Sequence, residues 1–156
     1  MLECVDGTAD DTPNPESDLE RVRSAATLVM HDVEAMFGPD LLRFLVADHE
    51  EIVTQPAFRG HRPRPQTAGW VIRSDRSAIG IWAPKDEGPQ ELIVRVADII
   101  QEGVIEGPEH WGAAFPPCPA HPNHPMGAAI IDGVASWVCP RGLVEPIPIG
   151  GIEGTR

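Results

Sequence analysis

Four side chains in the last third of the chain are of the types that bind a transition metal. Their spacing follows the pattern C-x2-H-x2-H-x14-C and comprises Cys118, His121, His124 and Cys139. Zinc prefers four sulfur and nitrogen ligands arranged as a tetrahedron, and a two-residue spacer lets one tight turn direct two side chains at the same ion. The sequence therefore predicts a structural zinc site closed by these four residues.

Three alternatives remain open for these side chains. The fourth position of the zinc site is His124, His110 or a water molecule. If no zinc is bound, the two cysteines are either buried free thiols or joined in a disulfide, which requires an oxidising environment. Cys4, the third cysteine of the chain, lies near its start and is expected to be incidental.

A predicted β-hairpin explains how Cys139 could return to Cys118. Asp132 and Gly133 separate two apolar runs, which is a strong signal for a type I′ turn. Five prolines between Phe115 and Pro125 exclude a helix before the hairpin. We expect the hairpin to carry the chain back to the end of the extended segment, so that the two cysteines meet.

The segment 110–142 resembles a zinc ribbon of abbreviated form. It is also similar to the C-terminal segment of small actinobacterial and actinophage proteins that end in CP-x-H…HP…W-x-CP. This resemblance implies metal binding and no particular activity. The chain departs from a full ribbon because the second turn, Cys139-Pro140-Arg141-Gly142, carries no second ligand.

The segment before this tail predicts a helical hairpin. Apolar residues recur every three or four positions from Ser17 to the Gly38-Pro39 pair, which is typical of a helix that buries one face. Ser17 and Glu20 have the spacing of a capping box. A second helix is predicted from Asp40 to about Thr54, and the short link between the two favours antiparallel packing.

A β-hairpin and a third helix are predicted to follow. The apolar runs 70–72 and 78–82 flank a turn-like segment, and a helix that extends to about Glu106 follows a loop over Pro84–Pro89. The expected fold class is α+β. The expected organisation is a disordered acidic lead-in at 1–16, an α+β domain at 17–107, and a zinc-ribbon-like lobe with its tail at 108–156.

The charge distribution suggests a partner-binding segment. The net charge is −12, which disfavours nucleic acid as a partner because an acidic surface repels phosphates. Residues 59–76, however, carry five arginines against one aspartate. We expect this segment either to pair with acidic faces of the same chain or to contact an acidic protein partner. The contact residues would be Arg59, Arg62, Arg64, Trp70, Arg73 and Arg76.

Enzymatic motifs are incomplete. His49-Glu50 begins like a metalloprotease helix, but Val53 stands where the second histidine belongs. Pro117-Cys118-x-x-His121 is similar to the P-C-x-x-C half of the zinc-deaminase signature, but residues 89–107 contain no histidine to supply the other half. We therefore expect a non-enzymatic interaction or adaptor protein. The alternatives are a zinc hydrolase with an open position and Glu109 as its base, and a nucleic-acid-binding accessory protein that uses the central arginines.

The remaining expectations concern location and solvation. The sequence contains no apolar run of about eighteen residues and begins without a signal-peptide pattern, so we expect a cytoplasmic protein without a membrane span. The four tryptophans are expected to pack in the core or in the zinc lobe. An exposed Trp70 or Trp82 beside Arg73 and Arg76 would instead indicate a partner-binding face. His31 and Asp32 are expected to be solvated on an exposed helix face.

Overall fold

The computed structural model describes residues 15–45, 67–73 and 77–154. This part of the chain contains two helices, α1 (Pro15–Phe37) and α2 (Pro89–Ile105), and three small antiparallel sheets. The predicted α+β class is therefore confirmed. Neither helix is both long and apolar enough to cross a membrane.

Helix α1 has the single buried face that the apolar spacing predicts. Val22, Ala26, Val29 and Val33 are buried on it. The helix begins at Pro15, two residues before the predicted start. It ends as predicted, because Gly38 adopts a left-handed conformation (φ 81°) and donates its N–H to the carbonyl of Glu34 at 2.9 Å.

The predicted second helix is wrong where the structure describes it. Leu42–Leu45 form strand β1, which pairs antiparallel with β2 (Thr67–Arg73). A short apolar run is compatible with a helix turn or a strand, and the available sheet edge decides between them. The N-terminal helical hairpin is thus replaced by a helix followed by a strand, and residues 46–54 lie outside the described residues.

The next two predicted elements are confirmed. Strand β2 pairs antiparallel with β3 (Ala78–Trp82), with Val71 opposite Ile79. Helix α2 follows and ends within one residue of the predicted position. It buries Leu92, Val96 and Ile100 against the rest of the core. It packs directly on α1.

Five short strands make up the C-terminal segment: β4 (Pro117–Cys118), β5 (His121–Pro125), β6 (Gly127–Ile131), β7 (Val134–Val138) and β8 (Ile147–Pro148). Strands β6 and β7 form the predicted hairpin, with Ile131 opposite Val134. Strand β8 was not predicted; it pairs with β7 so that Ile147 lies opposite Trp137.

One hydrophobic core joins the C-terminal segment to the helices. It includes Val22 of α1, Ile100 of α2 and Trp137 of β7. The amide of Gln101 donates hydrogen bonds to the carbonyls of Phe115 and Met126, which fixes the strands around Cys118 to α2. The elements that carry the candidate ligands are therefore anchored to the core rather than separate from it.

The Asp132-Gly133 turn offers a first test of the hairpin. Both residues have positive φ, 49° and 79°, as a type I′ turn requires. We expect Gly133→Ala to lower the free energy of unfolding by about 1 kcal/mol, because a Cβ is strained in this conformation. Gly127→Ala is the matched control: nothing lies within 4 Å of its added Cβ and its φ is not in the left-handed region. Urea unfolding of both variants measures the difference, and equal stabilities would contradict the turn.

Candidate metal centre

Cys118 and His121 lie opposite each other across one tight turn. Cys118 is the last residue of β4 and His121 the first of β5, and the two are Cα partners in the antiparallel pair. Only Pro119 and Ala120 lie between them. The two-residue spacer therefore places both side chains at one end of this small sheet, as the sequence predicts.

Cys139 reaches the same place from the other direction. It follows the last residue of β7 and opens a turn in which Gly142 donates its N–H to the Cys139 carbonyl at 3.0 Å. The Arg141 N–H points at the Cys139 Sγ, 3.4 Å away. Gly142 has a φ of 65°, which explains why glycine occupies this position. The turn thus directs backbone N–H groups at a sulfur.

The three side chains form one compact donor group. Their ligand atoms all lie within 4.8 Å of one another, close enough to hold a metal ion. Nε2 of His121 is 3.6 Å from the Cys139 Sγ. Cys118 is 0% and Cys139 2% exposed.

The second ring nitrogen of His121 is also informative. His121 Nδ1 is buried and has no hydrogen-bond partner among the described residues. A buried polar atom without a partner requires an explanation, because burial normally costs free energy unless the atom is paired or bound. One imidazole gives a single nitrogen to an ion, and Nε2 is the nitrogen that faces the Cys139 Sγ at 3.6 Å, so the unpaired Nδ1 is a separate feature of this site.

The pKa of the Cys139 thiol is shifted by its surroundings. Burial raises it, but the backbone N–H groups of Leu143 and Arg141 and the Cys118 thiol outweigh burial, so the net pKa is lowered. N–H groups stabilise negative charge on a sulfur. The environment therefore favours the thiolate, the form that binds metals.

The other proposed ligands lie outside this group. The exposed ring of His124 is adjacent to that of His121, with centroids 5.5 Å apart. His110 packs instead against Phe37, with ring centroids 4.4 Å apart. Glu109, the base of the alternative hydrolase, is exposed. Three of the four predicted ligands are brought together, and the ring of His124, the fourth, lies beside that of His121.

The predicted partner-binding residues are described only in part. Arg59, Arg62, Arg64 and Arg76 lie outside the described residues. Trp70 is only 9% exposed, so it belongs to the core rather than to a contact surface. Arg73, the last residue of β2, donates hydrogen bonds to Ser77, the residue just before β3.

The expectation that all tryptophans are buried is wrong for two of them. Trp82 is exposed and lies beneath the Arg95 guanidinium, 5.0 Å from its ring centroid. Trp111 is 78% exposed in the turns after α2. Trp70 and Trp137 are buried as predicted.

Asp32 is the residue whose role the sequence does not reveal. Expected to be solvated, it is 0% exposed. Its carboxylate accepts hydrogen bonds from Trp137 Nε1 at 2.7 Å, Gly150 N at 2.8 Å and Ile152 N at 3.0 Å. The carboxylate thus joins α1 to β7 and to the residues after β8. These partners are more than a hundred residues away in sequence.

Comparisons with known proteins leave the donor group as the main guide to function. No family model, no curated protein and no solved structure matches the chain. In the described part of the chain, Cys118, His121 and Cys139 form a group able to hold a metal ion.

Proposed function

We propose that the chain is a non-enzymatic interaction protein whose C-terminal segment is held together by one structural zinc ion. The observation that carries the proposal is the convergence of Cys118, His121 and Cys139 from two separate turns. Two sulfurs and an imidazole suit zinc better than a hard cation, which prefers oxygen ligands. The ion would tie the β4–β5 turn to the end of β7.

The spacing of the donor atoms supports zinc. With zinc–sulfur and zinc–nitrogen distances of about 2.3 and 2.0–2.1 Å, the sulfur–nitrogen edge of a tetrahedron is about 3.5–3.6 Å. His121 Nε2 and Cys139 Sγ are separated by 3.6 Å before any ion is considered. Binding would therefore need little rearrangement of this edge.

His124 is our proposed fourth ligand. Its ring already lies beside that of His121, and as an exposed side chain it can change rotamer at little cost. A closed set of four protein ligands is typical of structural zinc, whereas catalytic zinc keeps one position for water. The fourth ligand therefore distinguishes a structural site from a catalytic one.

The interaction role rests on the surface and on the motifs. Trp111 is 78% and Leu143 60% exposed, and both flank the metal-binding segment in the sequence. Exposed tryptophan is characteristic of protein interfaces. The arginine-rich segment 59–76 remains the predicted contact for an acidic partner, without Trp70. The incomplete catalytic motifs also favour binding over catalysis.

A metal titration tests the proposal. Purified under reducing conditions, the protein is expected to bind one zinc ion per chain, and cobalt in its place should give the intense absorption of a tetrahedral thiolate site. Cys139→Ser is expected to lower the affinity for zinc by more than about 100-fold, which exceeds the usual effect of losing an outer-sphere partner. Cys4→Ser is the matched control and should bind like the wild type. Full zinc affinity in Cys139→Ser would refute the site.

The same titration identifies the fourth ligand. His124→Ala is expected to lower zinc affinity and alter the cobalt spectrum, whereas His110→Ala is not. If neither histidine variant changes the spectrum, the fourth position is water. That outcome would favour the second candidate function, a zinc hydrolase, because three protein ligands and one water are typical of catalytic zinc, and the donor group supplies three protein ligands.

A further inference from the structure

The two sulfurs of the donor group are close enough to do more than bind a metal. Their ligand atoms lie within 4.8 Å of each other. Both are free cysteines: Cys118 is the last residue of β4, and Cys139 follows directly after β7. In a tetrahedral zinc site the sulfur–sulfur edge is about 3.8 Å, and a disulfide is about 2.05 Å. Less than about 2 Å of movement separates the two states.

We propose that this site is a peroxide-sensitive switch in which oxidation of Cys118 and Cys139 to a disulfide releases the zinc ion. The inference rests on the proposed zinc site and adds its regulation. Oxidation removes both sulfur ligands at once, which leaves His121 and the exposed His124 as the remaining ligands of the proposed set. Two imidazoles hold zinc far more weakly than the complete set does.

The reaction is balanced with a peroxide as the oxidant. One thiolate attacks a peroxide oxygen, the O–O bond breaks, and a sulfenic acid forms as hydroxide leaves. The second thiolate attacks the sulfenic sulfur, the S–S bond forms, and a second hydroxide leaves. The two sulfurs lose two electrons in total, hydrogen peroxide gains them, and two protons from solvent convert both hydroxides to water.

The position of the cysteines selects small oxidants. Both sulfurs are buried, but the residues immediately after each of them, Pro119, Ala120, Pro140 and Arg141, are exposed. The site therefore lies just beneath the surface. A small molecule such as hydrogen peroxide can approach where a bulky reagent cannot, and the adjacent sulfur traps the first oxidation product before it is oxidised further.

The test uses the full chain with Cys4→Ser, so that Cys118 and Cys139 are the only thiols. Zinc-loaded protein is treated with hydrogen peroxide at a few molar equivalents. We expect one zinc released per disulfide formed, read by a chromogenic chelator, and an intact mass lower by two hydrogens. Dithiothreitol followed by added zinc should restore the bound ion.

A variant that retains a single thiol is the control for this experiment. Cys4→Ser with Cys118→Ser retains one thiol, so peroxide should yield sulfenic or sulfinic mass gains and no intrachain disulfide. Retention of zinc by the two-thiol protein, or loss of zinc with overoxidised thiols and no disulfide, would overturn the switch. Failure of the untreated protein to bind zinc would instead refute the proposed function, so the two failures are distinguishable.

Discussion

Replacing Asp32 by asparagine is expected to lower the free energy of unfolding by about 3–5 kcal/mol, since hydrogen bonds to a charged group contribute about 1.5–3 kcal/mol each and a buried donor left unpaired adds to the loss. The carboxylate is 0% exposed and uses both oxygens to accept three N–H groups. An asparagine amide keeps the shape but presents NH₂ to at least one of these donors.

The neighbouring His31 provides the control for this prediction. Its ring is in long contact with the same carboxylate, with Nδ1 3.4 Å from Oδ1, but its side chain is 59% exposed. We expect His31→Ala to change stability by no more than about 0.5 kcal/mol, because the ring is largely exposed and its 3.4 Å contact with the carboxylate is long for a hydrogen bond. Urea unfolding measures both variants.

Hydrogen exchange locates the effect. The Gly150 and Ile152 amides bond to Asp32, so Asp32→Asn should accelerate their exchange more than that of amides in the middle of α2. A variant within about 1 kcal/mol of the wild type, or exchange that rises uniformly along the chain, would contradict the proposed role of Asp32.

The contrast between Asp32 and Cys139 shows which parts of the structure can be predicted from the sequence. Cys139 can be placed beside Cys118 because every link between them is local: a two-residue spacer, an extended segment and an Asp-Gly turn. The partners of Asp32 lie in β7 and in the C-terminal segment. No local pattern connects them to a helix more than a hundred residues earlier, so a buried aspartate on an acidic helix looks like a solvated one.

The helix predicted around Leu42 is wrong for a related reason. Its apolar residues satisfy a helical spacing, and the strand assignment depends on pairing with β2, whose first residue is Thr67. Helix α1 and the β6–β7 hairpin are predicted correctly because their signals are sustained over several turns or are specific to one turn type. The features that cannot be predicted from the sequence are those that depend on long-range pairing rather than on local preference.

Binding of zinc is expected to raise the melting temperature by about 10 °C when the free ion is about a thousandfold above its dissociation constant. A ligand that binds only the folded state stabilises it by about 4 kcal/mol at that excess, and each kcal/mol shifts the melting temperature of a chain of this size by about 2–4 °C. Calorimetry with zinc, and with a chelator in its place, measures the shift. Cys139→Ser should show none, whereas Cys4→Ser should match the wild type.

The stabilisation should extend beyond the ligands, because β7 connects the metal centre to Asp32. Cys139 follows directly after β7, and Trp137, two residues earlier, donates its indole N–H to Asp32 and packs edge-on against Phe115 with ring centroids 5.7 Å apart. Holding Cys139 in place restricts β7 and therefore Trp137. Zinc removal should thus accelerate exchange of the Trp137 indole proton and of the Ile152 amide. If zinc raises the melting temperature but leaves both exchange rates unchanged, the metal centre and the Asp32 contacts are independent; if Cys139→Ser responds to zinc as the wild type does, the stabilising ion is bound elsewhere.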